Sequence, residues 1–287
     1  QENKVRRSLW WCASGKPIFS GRAMMKGRRA MGDVIGNVVW AIGSGTGIGA
    51  AGAEALSSAG ARLILSGRRP EPLEEVAETI RQAGGEAHVE PLDISDGPAV
   101  LSCGKAIAER FGRLDIMFNS AAINVPNRNW ADYEAESWNT LIDVDIKGAL
   151  HCIGAVLPQM RLQRDGLIIN ISSWAGRYDS DIGGVAYTAS KRAMMAMTTN
   201  INMEEGKNVI RACAICPAEV VTPLVDKRAN PPPDWLKALM LQPKDLGETI
   251  LFVAGMPASV CVNEILISPT WNRAYVGGSM PGDNQND

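Results

Sequence analysis

Tyr187-Thr188-Ala189-Ser190-Lys191 sets a phenol and an ammonium four residues apart. In a helix that spacing puts both on one face, one turn from each other. A phenol is a poor acid or base near neutrality, and a neighbouring ammonium favours its ionised form. Tyr187 is thus a candidate to pass a proton to or from a substrate oxygen. Taken alone, Tyr-x-x-x-Lys also fits an inert surface pair. Ser173 lies fourteen residues earlier, in Asn170-Ile171-Ser172-Ser173, and is a candidate to hydrogen-bond the same oxygen. Ser172, one position off along a strand, should point to the opposite face.

Gly43-Ser44-Gly45-Thr46-Gly47-Ile48-Gly49 offers a second kind of chemistry. It follows a short apolar run, Val38–Ile42, and precedes an Ala-rich stretch, Ile48–Ala59, that reads as a helix. Glycines there permit a tight turn and close backbone approach, and the helix N-terminus attracts a pyrophosphate. The position after a first strand points to dinucleotide binding, with an ordinary glycine-rich loop as the alternative. The second strand ends Ser66-Gly67-Arg68-Arg69, with no carboxylate to bond an unmodified ribose. Arg68 suits a 2′-phosphate instead, which favours NADP(H) over NAD(H). The alternative is that Arg68 and Arg69 are solvated charges at a helix start. A bound cationic nicotinamide would add to the effect of Lys191 on Tyr187 and would exchange hydride with the substrate carbon.

These residues need a scaffold, and the patterning supplies one. After Val38–Ile42, strands are expected at Arg62–Ser66, Ala87–Leu92, Leu114–Phe118, Leu167–Ile171, Ile210–Ile215 and Ile265–Ile267. Helices are expected at Glu71–Ala83, Ala99–Phe111, through a long stretch over Ser137–Gln163, and at Val185–Glu205. Strands alternating with helices imply a doubly wound seven-stranded parallel sheet, an α/β fold of the Rossmann type in a single domain. Ligands in such folds sit at the C-terminal edge of the sheet, where Ser173 falls.

The chain has 287 residues, of which 46% are hydrophobic and 21% charged, as in a globular protein with a sizeable core. A net charge of −2 gives no global pull toward nucleic acid or anionic membrane. No apolar run approaches a membrane span. Cys213 and Cys216 form a C-x-x-C, but in a strand their side chains diverge, so they read as buried core thiols. With only two histidines, His88 and His151, no zinc site is expected. The scattered cysteines suit a reducing, cytoplasmic setting. Residues 1–33 carry eight basic and two acidic side chains. They read as a loose basic extension, with an organelle transit peptide as the alternative. The dehydrogenase-like domain is expected over residues 34–270, and a tail over 271–287 that is polar and glycine-rich beyond 276.

In motif order and spacing, residues 37 to about 268 resemble the short-chain dehydrogenase/reductase family. The motifs are Gly43…Gly47-Ile48-Gly49, the Arg68 position, Leu92-Asp93, Asn119-Ser120-Ala121-Ala122, Asn170-Ile171-Ser172-Ser173, Tyr187…Lys191 and Pro217 to Thr222. The resemblance implies a catalytic Ser173, Tyr187 and Lys191, with Lys191 also on the nicotinamide ribose. It places Asp93 and Ile94 beside the adenine, and Asn119 and Ala121 behind the ribose. Pro217, Val220 and Thr222 would hold the nicotinamide end, and Gly43, Gly45, Thr46, Gly47 and Ile48 the phosphates. A dimer or tetramer is implied as well. Four departures stand out. Ile42 replaces a Thr whose hydroxyl would bond the turn after the fourth strand. Ser120 and Ala122 depart from Asn-Asn-Ala-Gly, and Ala218 from Pro-Gly. Asp145 replaces a fourth catalytic residue, normally Asn, and either serves a proton relay as an acceptor or pairs directly with Lys191.

The expected activity is interconversion of an alcohol with a ketone or aldehyde, acting on a small molecule. The alternatives are a dinucleotide-binding regulator with weakened catalysis, and a dehydratase or epimerase on the same fold. Residues 217–241 resemble the family's substrate loop. Trp174, Trp235 and Pro231–Pro233 suggest an apolar pocket, unless the tryptophans only pack core or interface. The segment Ser268–Arg273 is a candidate to close that pocket or to meet another subunit. No basic cluster in the sequence marks an anionic substrate.

Overall fold

The computed structural model describes residues 34–228 and 230–276. The basic segment 1–33, with Cys12, and the end of the tail, 277–287, lie outside the described residues. The strands are β1 (Val38–Ile42), β2 (Arg62–Gly67), β3 (Glu86–Pro91), β4 (Ile116–Asn119), β5 (Gly166–Ile171), β6 (Ile210–Pro217) and β7 (Glu264–Ile267). They form one sheet in the order β3-β2-β1-β4-β5-β6-β7, with every pair parallel. The order reverses between β1 and β4, which opens a crevice at the C-terminal edge.

The helices are α1 (Gly47–Ser58), α2 (Pro70–Gln82), α3 (Gly97–Phe111), α4 (Ala135–Ile142), α5 (Ala149–Gln163), α6 (Val185–Glu205), the short α7 (Pro223–Asp226) and α8 (Asp234–Lys237), then α9 (Pro243–Ala254) and α10 (Arg273–Val276). Alternate residues of β1 face opposite sides. Val39 and Ala41 join Leu56 of α1, Val76 of α2 and Ile250 of α9 in one core layer. Val38, Trp40 and Ile42 join Val100 of α3, Val156 of α5 and Ile201 of α6 in the other. Burial on both faces explains why β1 and β5 read as unbroken apolar runs. None of the described helices is long and apolar enough to cross a membrane.

Four elements differ from the sequence expectation, one of them α9 (Pro243–Ala254), where no helix was expected. β4 starts at Ile116; just before it, the Asp115 backbone already bonds Val38 and Leu167 at 2.9 Å each, while its Oδ2 accepts from the Val38 N–H at 2.8 Å and from Arg113 Nε at 2.7 Å. β6 extends to Pro217, carried by its pairing with β7. The long helix is interrupted by a π-helical turn, Asp143–Gly148, between α4 and α5. Cys213 and Cys216 are buried on β6, and burial pushes their thiols up to about 12 and about 11. They are core thiols, as the divergence along a strand requires.

The segment after β7 folds back along its own chain. Trp174, the residue after Ser173, stacks on Tyr178 with centroids 4.8 Å apart and meets Tyr275 of α10 edge-on at 5.4 Å. Arg273 donates to Glu219, after β6, at 2.6 Å.

Phe118 of β4 is fully buried beneath α1, so close that a Cβ on Gly52 would lie 3.1 Å from its Cζ. Phe118→Ala is expected to cost about 3–5 kcal/mol of stability, the usual range for emptying such a site. Urea unfolding monitored by circular dichroism measures it, and a loss below about 1 kcal/mol would contradict this packing.

Candidate active site

Parallel pairing brings the strand ends level. Ile42 pairs with Ser66 and with Asn119, Asn119 with Asn170, and Ile171 with Ile215. These ends, the loops that leave them and the loop after β3 carry most of the residues singled out from the sequence. Asp145 lies in the π turn, and α6 supplies Tyr187 and Lys191.

The turn after β1 is built tightly. Gly43 has φ +75°, and a Cβ there would lie 2.4 Å from the Ala121 backbone nitrogen. Only glycine lets the β1 turn lie against the β4 turn. Gly47 has φ +58° at the start of α1, where a Cβ would meet Thr222 Cγ2 at 3.0 Å. Thr46 is exposed and makes no side-chain cap, and the first turn of α1 holds no acidic residue. The helix N-terminus is therefore open to an anion. Ile42 is fully buried in a core layer, and the tie expected of a hydroxyl is made by backbone: Ser120 N–H donates to the Ile42 carbonyl at 2.8 Å.

Asn119 Oδ1 accepts from the Ala121 N–H at 3.0 Å, while its buried Nδ2 has no partner among the described residues. An orphaned buried donor is costly, and it fits a polar ligand group behind the β4 turn. Arg68 and Arg69 are exposed immediately after β2. Asp93 faces that region. Burial works against its ionisation, but bonds from the Ser95 N–H at 2.9 Å and O–H at 2.7 Å, with the charge of Arg68, hold its carboxyl below the ordinary range. Ile94 is buried, and its carbonyl is 3.1 Å from His151 Nδ1. Pro217 ends β6, Val220 is buried where the loop bridges to Leu241, and Thr222 precedes α7 beside Gly47. The residues present fit a dinucleotide.

Ser173, Tyr187 and Lys191 converge across the β5–α6 junction. Lys191 is 2% exposed, and its Nζ donates to the Ile171 carbonyl at 3.2 Å. The same Nζ lies 5.4 Å from the centroid of the Tyr187 ring. Ser172 Oγ donates to the Lys191 carbonyl at 2.9 Å, so its hydroxyl is taken up by the α6 backbone. Ser173 Oγ accepts from the Ala175 N–H at 3.2 Å, which leaves its own proton to donate. Ser173 and Tyr187 make no direct hydrogen bond.

Asp145 does not pair with Lys191. It is 1% exposed; Oδ1 accepts from the Ile123 N–H at 2.8 Å, and Oδ2 lies 3.1 Å from Ser190 Oγ. Ser190 Oγ also lies 2.8 Å from the Tyr187 carbonyl. Burial pushes the Asp145 carboxyl up, opposed by the charge of Lys191 and these two contacts. Ser190 was missed in the sequence, although it sits beside Lys191 in the same helical turn.

The fold also assembles a basic group that the sequence does not display. Arg128, Arg228 and Arg273 come from three distant segments, and Glu219 accepts from Arg228 and Arg273 at 2.6 Å each. Burial and the neighbouring Arg228 push the Arg128 guanidinium down, while Tyr187 opposes them.

Residues 37–232 match the short chain dehydrogenase family. An uncharacterized oxidoreductase of Staphylococcus saprophyticus is 36% identical over 229 residues, covering 79% of this chain and 94% of that protein. A metagenomic short-chain oxidoreductase solved in complex with NADP superposes with a TM-score of 0.72 at 28% identity, covering 84% of this chain and all of that one. An alcohol dehydrogenase from the archaeon Thermococcus sibiricus, complexed with 5-hydroxy-NADP, gives 0.74 at 25% identity over 83% and 98% of the two chains. With the sheet order, the open α1 N-terminus and the β5–α6 junction, these matches show that the chain belongs to the short-chain dehydrogenase/reductase family of oxidoreductases.

Proposed function

We propose that the protein is an NADP(H)-dependent oxidoreductase that interconverts an alcohol with a ketone or aldehyde, with Tyr187 as general acid and base. The observation that carries this reading is the Lys191 ammonium, buried 5.4 Å from the Tyr187 ring centroid at the C-terminal sheet edge. The cofactor, when bound, supplies or accepts hydride at the substrate carbon. Ser173 donates a hydrogen bond to the substrate oxygen and orients it, keeping its own proton. Tyr187 gives that oxygen a proton in reduction and takes it back in oxidation. Lys191 keeps positive charge beside the phenol. The open turn at Gly43–Gly49 receives the phosphates, and Arg68, aided by Arg69, receives the 2′-phosphate. NADP in the metagenomic neighbour supports that preference.

Asp145 acts through Ser190. One hydroxyl proton lies between two groups that only accept, the Tyr187 carbonyl and an ionised Asp145. A protonated Asp145 removes the conflict: it donates to Ser190 Oγ, and Ser190 donates to the Tyr187 carbonyl. Asp145 thereby offers one donor and one acceptor, as an asparagine would. The upward push of burial favours this neutral form.

Tyr187→Phe is expected to lower turnover by about 10²–10⁴-fold or abolish it, while NADPH binding, read by fluorescence titration, persists. Retained turnover would remove Tyr187 from its role. Arg68→Glu should shift the ratio of kcat/KM for NADPH over NADH by about 10-fold or more toward NADH, the worth of one charged hydrogen bond; an unchanged ratio would refute Arg68 as the phosphate ligand. Asp145→Asn should keep turnover within about 3-fold, whereas Asp145→Leu should lose about 10²-fold. An inactive Asp145→Asn enzyme would mean that the ionised carboxylate is required.

A further inference from the structure

If Tyr187 marks the reacting centre, as proposed above, the residues beside it speak to the charge of the substrate. Arg128 lies in the loop between β4 and α4. Its Nε donates to the Val125 carbonyl at 3.0 Å and its Nη1 to the Ile182 carbonyl at 2.7 Å. Its own carbonyl accepts from the Val185 N–H at 3.0 Å. These bonds fasten Arg128 to the segment just before Tyr187. The packing there is close: a Cβ on Gly184 would lie 2.5 Å from Arg128 Cβ, and one on Gly183 would lie 3.1 Å from Tyr187 Cδ1.

Among the described residues, no carboxylate lies within ion-pair distance of Arg128, and its Nη2 has no hydrogen-bond partner. Arg228 is near enough to repel it, and Tyr187 near enough to feel its charge. The one acidic partner in this group is Glu219, whose Oε1 already serves both Arg228 and Arg273. Two guanidinium groups thus share one carboxylate, and Arg128, close to Arg228, has none, which leaves an excess of two positive charges along a partly buried wall. Unmatched charge in such a place is costly. The free edge of a guanidinium is suited to a planar or tetrahedral oxyanion.

We propose that the substrate carries an oxyanion, a carboxylate or a phosphate, which Arg128 receives beside Tyr187 while Arg228 adds charge. The test compares matched probes with NADPH: benzoylformate and levulinate, each against its methyl ester, and dihydroxyacetone phosphate against dihydroxyacetone. The charged member of at least one pair is expected to show a kcat/KM about 10-fold or more higher, within the range for a charged hydrogen bond. That advantage should shrink as salt rises, and Arg128→Gln should lower the charged-to-neutral ratio. The pair that shows the preference tells carboxylate from phosphate. Neutral members turned over as well as charged ones in all three pairs would overturn the proposal. So would an Arg128→Gln enzyme that keeps the wild-type ratio, or one whose main defect is weaker NADPH binding, which would assign the anion to the cofactor.

A calorimetric arm separates this proposal from the catalytic reading. Levulinate and inorganic phosphate are titrated into the protein saturated with NADP⁺. Binding of either anion by the wild type that weakens about 10-fold in Arg128→Gln supports the anion site even if no probe is turned over. In that event the anion site stands, and it is the proposed carbonyl reduction that fails for these keto acids and phosphates. Absence of binding by both anions, with no charged probe turned over, overturns the anion site.

Discussion

A buried ammonium must be held by something, and here a strand end holds it. Lys191 donates to the Ile171 carbonyl, and Ser172 donates back to the Lys191 carbonyl. This reciprocal pair clamps α6 to the end of β5. Ser173 follows on the strand side and Tyr187 lies one turn earlier on the helix side, so the clamp sets their relative position. A loop alone would not hold side chains this closely; a strand terminus and a long helix, each packed into a core layer, do.

Much of this was legible in the sequence, and the reasons are local. Short apolar runs and glycine stops located β1, β2, α1 and α2 to within a residue or two, because both signals depend on near neighbours. Val185–Glu205 coincides with α6 for the same reason. The start of β4 lies two residues beyond the expected Leu114, although the Asp115 backbone already bonds Val38 of β1 and Leu167 of β5; the long-range bond from the Val38 N–H to its side chain had no local signal. The β6 end was hidden because β7, nearly fifty residues on, completes it. The site follows the same rule. Spacing within one helix revealed Tyr187 and Lys191, but nothing in the linear order joins Asp145 to Ser190 or Arg128 to Arg228.

The loops around the crevice show how one fold can keep its reaction and change its clientele. The turn after β1 is tied to the β4 turn by backbone contact, and the β5–α6 clamp rests on two buried side chains, so both admit few substitutions. The segments after β5 and β6 and α10 meet through side chains: Trp174 with Tyr275, and Glu219 with Arg228 and Arg273. Such contacts can be exchanged without disturbing the sheet.

The π turn at Asp143–Gly148 has a consequence of its own. It inserts an additional residue into a rod that otherwise runs from Ala135 to Gln163. Beyond it the helical phase is offset by about a quarter-turn relative to an uninterrupted α-helix. Before the offset, Trp138 and Leu141 grip Val125 and Ala186 beside the start of α6. After it, Ile153, Val156 and Met160 lie against the sheet. A rod of uniform pitch would satisfy one grip and lose the other. Chain length between these anchors is therefore under tighter constraint than side-chain identity, and a one-residue insertion or deletion there would desynchronise the two grips.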